Sequence, residues 1–107
     1  MSGFSNHFGL GHFGLAVRQS REALGWSQEQ LAARADLNRS YVGEVERGQV
    51  AVSLPTIGKL AQALQVPSST LVQRGEVLWQ RHTERAAQMQ QIQQALQQQA
   101  GLAAIAG

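Results

Sequence analysis

Between Ser27 and Gly48 the chain starts and stops two helices in quick succession, and no other feature limits its folding as strongly. Ser27-Gln28-Glu29-Gln30 is a capping box. The Ser27 hydroxyl is placed to accept a first-turn backbone N–H, and Gln30 to reach back to the Ser27 amide. The spacing predicts a helix from about Gln28 to Ala35, with Leu31, Ala32 and Ala35 facing inward. The link Ala35-Asp36-Leu37-Asn38 follows. Asn38 is a good cap for a second helix, from about Arg39 to Arg47, which Gly48 ends. Val42 and Val45 face inward over Leu37. Two such short helices on so brief a link must cross at a large angle. The small Ala32 and Ala35 let them approach closely.

The flanking segments supply further helices. Phe13, Val17 and Leu24, with small Ser20, make one stripe of a first helix, and Gly25 stands where a left-handed stop is wanted. Ser53 caps a fourth helix, where Pro55 is tolerated because first-turn amides have no helical partner. Its expected buried stripe is Leu54, Ile57, Leu60, Ala61 and Leu64. Gln65-Val66-Pro67-Ser68 opens a short fifth helix that buries Val66 and Leu71. No strand pattern competes. The expected architecture is all-α. Residues 1–12 form a flexible arm, residues 13–74 a five-helix domain, and residues 75–107 an additional glutamine-rich C-terminal helix. The arm carries a near-duplication, His7-Phe8-Gly9-Leu10 and His12-Phe13-Gly14-Leu15.

Composition narrows the function. The 107 residues suit one domain with appended ends. There is no cysteine, which excludes disulfides and zinc-thiolate sites and makes the cytoplasm the expected compartment. No run of eighteen apolar residues exists, and no basic start precedes an apolar stretch, so neither a membrane span nor a secretory signal is expected. His7 and His12 are five apart in a glycine-rich stretch, which is poor ligand geometry, so no metal is expected. Nucleophile, base and oxyanion donors are nowhere grouped, so neither an enzyme nor a cofactor is expected. The net charge is only +2, with Arg18, Arg21, Arg34, Arg39, Arg47, Arg74, Arg81 and Arg85 against a single Lys59. Binding to nucleic acid would depend on where these groups stand. The arm has no Arg or Lys before Arg18, which disfavours minor-groove insertion.

Arg39, Ser40, Gly43 and Glu44 lie off the Leu37/Val42/Val45 face, and all are small or polar. A protruding face of this kind on a short, well-packed helix is what a groove-reading element needs, and the crossing pair is the helix-turn-helix arrangement. Four runs, in order, resemble the lambda-repressor/Cro (XRE) family of bacterial and phage DNA-binding domains. They are Ser27-Gln28-Glu29-Gln30-Leu31-Ala32, Arg39 through Gly48, Ser53-Leu54-Pro55-Thr56-Ile57, and Leu60 through Val66. The resemblance spans about residues 13–74. It implies that Gln28 contacts a phosphate and braces the recognition helix, and that Asn38 also meets a phosphate. It implies that Arg39 and Ser40 read base edges, Arg39 bidentately on guanine. Glu44, one turn on, either accepts from a cytosine amino group or pairs with Arg47 along the helix. Tyr41 touches phosphate or a thymine methyl, or packs along the domain edge. Arg47 and Gly43 complete the expected DNA face. Arg21 and Glu46 match the family's buried ion pair and are read as structural. One departure stands out: Gln49-Val50-Ala51-Val52 replaces the basic residues and proline frequent in the family, so electrostatic affinity is reduced and a dimer is wanted.

In the C-terminal segment, Met89, Ile92 and Leu96 fall at intervals of three and four, with Leu78 and Arg85 on roughly the same seam. Partner-helix packing, folding back on the domain and a frayed tail are the three readings; the first makes this helix the candidate dimer contact or a site for another protein. The function expected is sequence-specific binding of double-stranded DNA through the major groove by a homodimer on an inverted repeat. Transcription would be regulated, as a repressor, in a bacterial or phage nucleoid-associated setting. The alternative is an antitoxin that binds a toxin and autorepresses its operon. A restriction-modification controller is not separable from other small repressors at this level.

Overall fold

The computed structural model describes residues 9–106 and contains five helices: α1 (Leu10–Ala23), α2 (Gln28–Ala35), α3 (Arg39–Glu46), α4 (Leu54–Ala63) and α5 (Ser68–Ala106). Among the described residues there is no strand. Of the near-duplication, His7 and Phe8 lie outside them.

The sequence punctuation is realised at atomic level. Ser27 Oγ accepts from the Gln30 amide at 3.1 Å, and Gln30 Oε1 accepts from the Ser27 amide at 2.8 Å. Asn38 Oδ1 accepts from the Tyr41 amide at 2.7 Å, and Ser53 Oγ from the Thr56 amide at 3.3 Å. Each cap satisfies an amide that has no partner inside its own helix. Asp36 takes φ 54 at the end of α2, a left-handed conformation that Asp tolerates. This lets the Leu37 amide bond the Ala32 carbonyl at 2.9 Å and turns the chain into α3. Gly25 and Gly48 end α1 and α3 at φ 74 and 69.

The core gathers Phe13 and Val17 from α1, Leu31, Ala32 and Ala35 from α2, and Val42 and Val45 from α3. Leu60, Ala61 and Leu64 join them from α4 and its cap, and Leu71 from α5. Leu37, Ile57, Val66 and Trp26 close its edges. α3 packs on α1 and α2, whereas α5 packs on α1 and α4.

Four expectations need correction. α1 begins at Leu10, so residues 9–12 are helix and its cap rather than arm. Leu24 is not in the core: it is the C-cap of α1 and 40% exposed, whereas Ala16, outside the expected stripe, is buried. Leu54 is 82% exposed, because at the first position of α4 it sits outside the stripe that Ile57, Leu60 and Leu64 turn inward. The short fifth helix and the appended helix are one element of 39 residues, running unbroken through Gly75, which is buried. The seam beyond the domain does not fold back, since Met89, Ile92 and Leu96 remain 55%, 52% and 59% exposed. Among the described residues no helix is long and apolar enough to cross a membrane, and no three His, Cys, Asp or Glu side chains cluster as metal ligands.

Candidate nucleic-acid interface

α3 is held by its C-terminal end. Arg21 of α1 donates to Glu46 from Nε at 2.7 Å and from Nη2 at 2.9 Å, a two-pronged pair. The side chains are 11% and 3% exposed. Gln28, the first residue of α2, donates to the same carboxylate at 3.0 Å. Arg21 Nη1 donates to the Trp26 carbonyl at 2.8 Å. One carboxylate on α3 therefore ties together α1 and the start of α2. The hydrogen bond to Glu46 raises the Arg21 pKa further above its already high range, against a smaller opposing effect of burial. The cation persists at any accessible pH.

Gly14 sets how close α1 comes to α3. A Cβ at that position would collide with the Val45 carbonyl oxygen and lie 2.7 Å from that of Glu46. In the sequence Gly14 stands out only as part of the near-duplication, although a glycine in the interior of a helical stripe is a signal for close backbone approach.

The outward face of α3 carries Arg39, Ser40, Gly43, Glu44 and Arg47, which a period of 3.6 residues places together. Arg39 and Ser40 are exposed, Glu44 is half-buried and Tyr41 is half-buried against the core edge. Asn38 is exposed; its carbonyl oxygen is occupied by the cap, leaving its NH2 group for another acceptor. Gln28 joins these residues in one shallow depression with Arg39, Ser40, Gly43, Glu44 and Arg47.

Gly43 is not an exposed spot on this face. It is buried beneath Arg47, whose Nη1 would lie 3.0 Å from a Cβ there. A side chain at position 43 would displace the guanidinium, so the glycine makes room for Arg47 to fold across the helix. Arg47 does not pair with Glu44; the ion pairs among the described residues are Arg18–Glu22, Arg21–Glu22 and Arg21–Glu46. Arg47 Nε instead donates to Gln49 Oε1 at 3.2 Å. Arg18 stands beside the same corner, where Arg21, Gln28, Glu46 and Arg47 meet, and bonds Glu22 at 2.6 Å. Arg34 stacks over Trp26 at 4.2 Å. α5 packs on α1 and α4, and Arg39 and Ser40 stay exposed, so the glutamine-rich helix leaves the outer face of α3 open.

Comparison with known proteins agrees with this fold. Residues 17–71 match the family model described as helix-turn-helix. Over 61 residues the chain is 44% identical to the control protein C.BamHI of Bacillus amyloliquefaciens, covering 56% of this chain and 75% of that one. It is 43% identical over 58 residues to the control protein C.SmaI of Serratia marcescens, 54% of this chain and 69% of that one. Among solved structures it is similar to the restriction-modification controller protein C.AhdI of Aeromonas hydrophila. That likeness has 53% identity and a TM-score of 0.57, over 58% of this chain and 94% of that one.

Proposed function

Because the chain belongs to the helix-turn-helix family and is a DNA-binding regulator of transcription, we propose that α3 enters the major groove with Arg39, Ser40 and Glu44 on base edges. The observation that carries this reading is the open α3 face, polar along its length and fixed from behind by the Glu46 carboxylate. Arg39 donates both prongs to a guanine, and Ser40 bonds a neighbouring base. Glu44, free of Arg47, accepts from a cytosine amino group. Gln28 and the free amide of Asn38 reach phosphates on either side, with Arg47 and the edge of Tyr41 completing the backbone contacts. These positions hold the helix in register but carry no sequence information themselves.

The test is a pair of substitutions read by equilibrium binding to one preferred site and to scrambled DNA. Arg39→Ala is expected to cost about 1–3 kcal/mol on the preferred site and to relax the choice at a single base. Gln28→Ala is expected to weaken both DNAs alike. Equal loss on both DNAs for Arg39→Ala would remove it from the base-reading set.

A single α3 reads only a few base pairs, so the protein acts as a homodimer on an inverted repeat, its two α3 helices about 34 Å apart. A face built by α4 and the start of α5, separate from the α3 face, supports this pairing. Leu54, 82% exposed, stands beside Ile57 of α4 and Val72 of α5 in one shallow groove. Leu54→Glu at this face is expected to split the pair and to lower operator affinity by tenfold or more while leaving the melting temperature within a few degrees. Full affinity in a monomeric Leu54→Glu protein would refute the two-fold reading.

The protein is read as a binding protein rather than an enzyme, acting in the cytoplasm as a repressor. The likeness to C.AhdI across nearly the whole of that protein favours a controller role in a restriction-modification system. Binding to DNA upstream of its own gene, with a methyltransferase and endonuclease alongside, would support that role. No feature of the geometry favours the antitoxin reading.

A further inference from the structure

The stripe of α5 that packs the domain does not end where the domain ends. Leu71 and Gly75 are buried, and Leu78 is half-buried. The same stripe runs on through His82, whose ring meets that of His12 at 5.4 Å near the start of α1. Beyond that point α1 offers no further cover. The stripe continues as Arg85, Met89, Ile92 and Leu96, with Ala100 and Ala103 closing it. At about 100° per residue these positions keep to one side of the helix. From Ala86 to the end of the chain there is no charged residue, and eight are glutamine.

We infer that this part of α5 pairs with the same segment of a second copy, antiparallel, through Met89, Ile92 and Leu96. An uncharged helix has nothing to attract phosphate and no like charge to repel its own copy. Each glutamine amide both donates and accepts, so the flanks of one helix satisfy those of an identical one. The register favours opposed directions. Side by side in parallel, two Arg85 guanidinium groups would meet in the seam. Centred on Ile92 in antiparallel, Met89 lies against the partner's Leu96, and Arg85 lies beside the partner's Gln99. His82 then meets the partner's Ala103, where the small side chain leaves room for the ring.

This surface is separate from the one at Leu54. Val72 and Glu76, which line the Leu54 groove, lie about 100–140° around α5 from Met89. One two-fold contact cannot cover both faces. The helix pairing therefore adds a second association step and, resting on the Leu54 dimer for this consequence alone, builds an assembly of four chains that carries two pairs of α3 helices.

Sedimentation velocity on the full-length protein, without DNA, tests it. Ile92→Glu is expected to halve the assembled mass and to leave the melting temperature unchanged. Gln94→Glu, the same charge on another side of the helix, is expected to leave the mass as in the unmodified protein. If Ile92→Glu sediments like the unmodified protein, or if Gln94→Glu splits it equally, the pairing is refuted. Unmodified protein that is monomeric at high micromolar concentration refutes it too, since the seam is then kept for a different protein. Because the chain has no cysteine, Met89→Cys mixed with Leu96→Cys is expected to give a mixed disulfide, with Leu96→Cys alone giving little. Efficient self-linking of Leu96→Cys would overturn the antiparallel arrangement. Binding to a single operator, measured in parallel with Ile92→Glu, is expected to stay within twofold, which separates this inference from the base-reading one.

Discussion

Glu46→Ala is expected to lower folding stability by about 3–5 kcal/mol. For a domain of this size that is a fall in melting temperature of roughly 12–40 °C. The carboxylate accepts two hydrogen bonds from Arg21 and one from Gln28 in a site where its side chain is 3% exposed. Removing it strands a guanidinium that is itself 11% exposed, with the Trp26 carbonyl at 2.8 Å and the half-exposed Glu22 carboxylate at 3.9 Å as its remaining partners. The loss is mainly the penalty of an uncompensated buried charge, not the net worth of the pair. Replacing both partners by apolar residues of similar volume, Arg21→Met with Glu46→Leu, is therefore expected to recover much of what the single change loses. DNA affinity should fall in Glu46→Ala as well, although Glu46 touches no base, because the start of α2 and the end of α3 lose their common anchor. Thermal denaturation followed by circular dichroism reads all three proteins, and an unchanged melting temperature for Glu46→Ala would contradict the ion pair.

Gly14→Ala is the second large effect. Alanine is the better helix former by about 1 kcal/mol, so on α1 in isolation the change would stabilise. In the folded domain its methyl carbon would meet the carbonyl of Val45 and lie 2.7 Å from the oxygen and 2.9 Å from the carbon of the Glu46 carbonyl. These are backbone atoms, which cannot swing aside as a side chain can. α1 would have to lift from α3, loosening Phe13 and Val17 against Val42 and Val45 and lengthening the Arg21–Glu46 bonds. Overpacking of this kind costs about 1–3 kcal/mol, and collision with rigid backbone puts it at the upper end or beyond. Gly11→Ala on the same helix is the matched comparison: a Cβ there meets nothing within 4 Å, so it is expected to stabilise by about 0.5–1 kcal/mol. Urea denaturation of the two proteins should give opposite shifts of the midpoint; shifts of the same sign would mean that α1 and α3 are not in backbone contact.

The parts of this architecture that sequence reveals are those written in local chemistry. Ser27 with Gln30, Asn38 and Ser53 each announce a helix start, because a cap is an interaction over three residues. The bounds of α2 and the inward set Leu31, Ala32 and Ala35 follow from the cap and the 3.6-residue period together. The Arg21–Glu46 geometry spans 25 positions and is legible only through the family resemblance, since nothing local joins the two.

What sequence hides is set by distant neighbours. Leu54 and Leu24 look like core residues because apolar spacing does not say where a helix leaves the domain. Gly75 opens the glutamine-rich segment like a break, yet it is buried inside α5, which runs through it without interruption. Gly43 looks like an open position on α3, yet it is the floor beneath Arg47. Each depends on a long side chain or a whole helix arriving from elsewhere. The α3 face itself was readable as residue types, but its being left open by α5 was not.

The most direct test of base reading by α3 is selection of bound fragments from a random DNA pool, with the unmodified protein and Arg39→Ala run in parallel. An inverted repeat with half-site centres about one helical turn apart is expected from the unmodified protein. The Arg39→Ala pool is expected to lose one preferred base, at symmetry-related positions. An identical consensus from both proteins, or no enriched sequence from the unmodified one, would contradict base reading by α3.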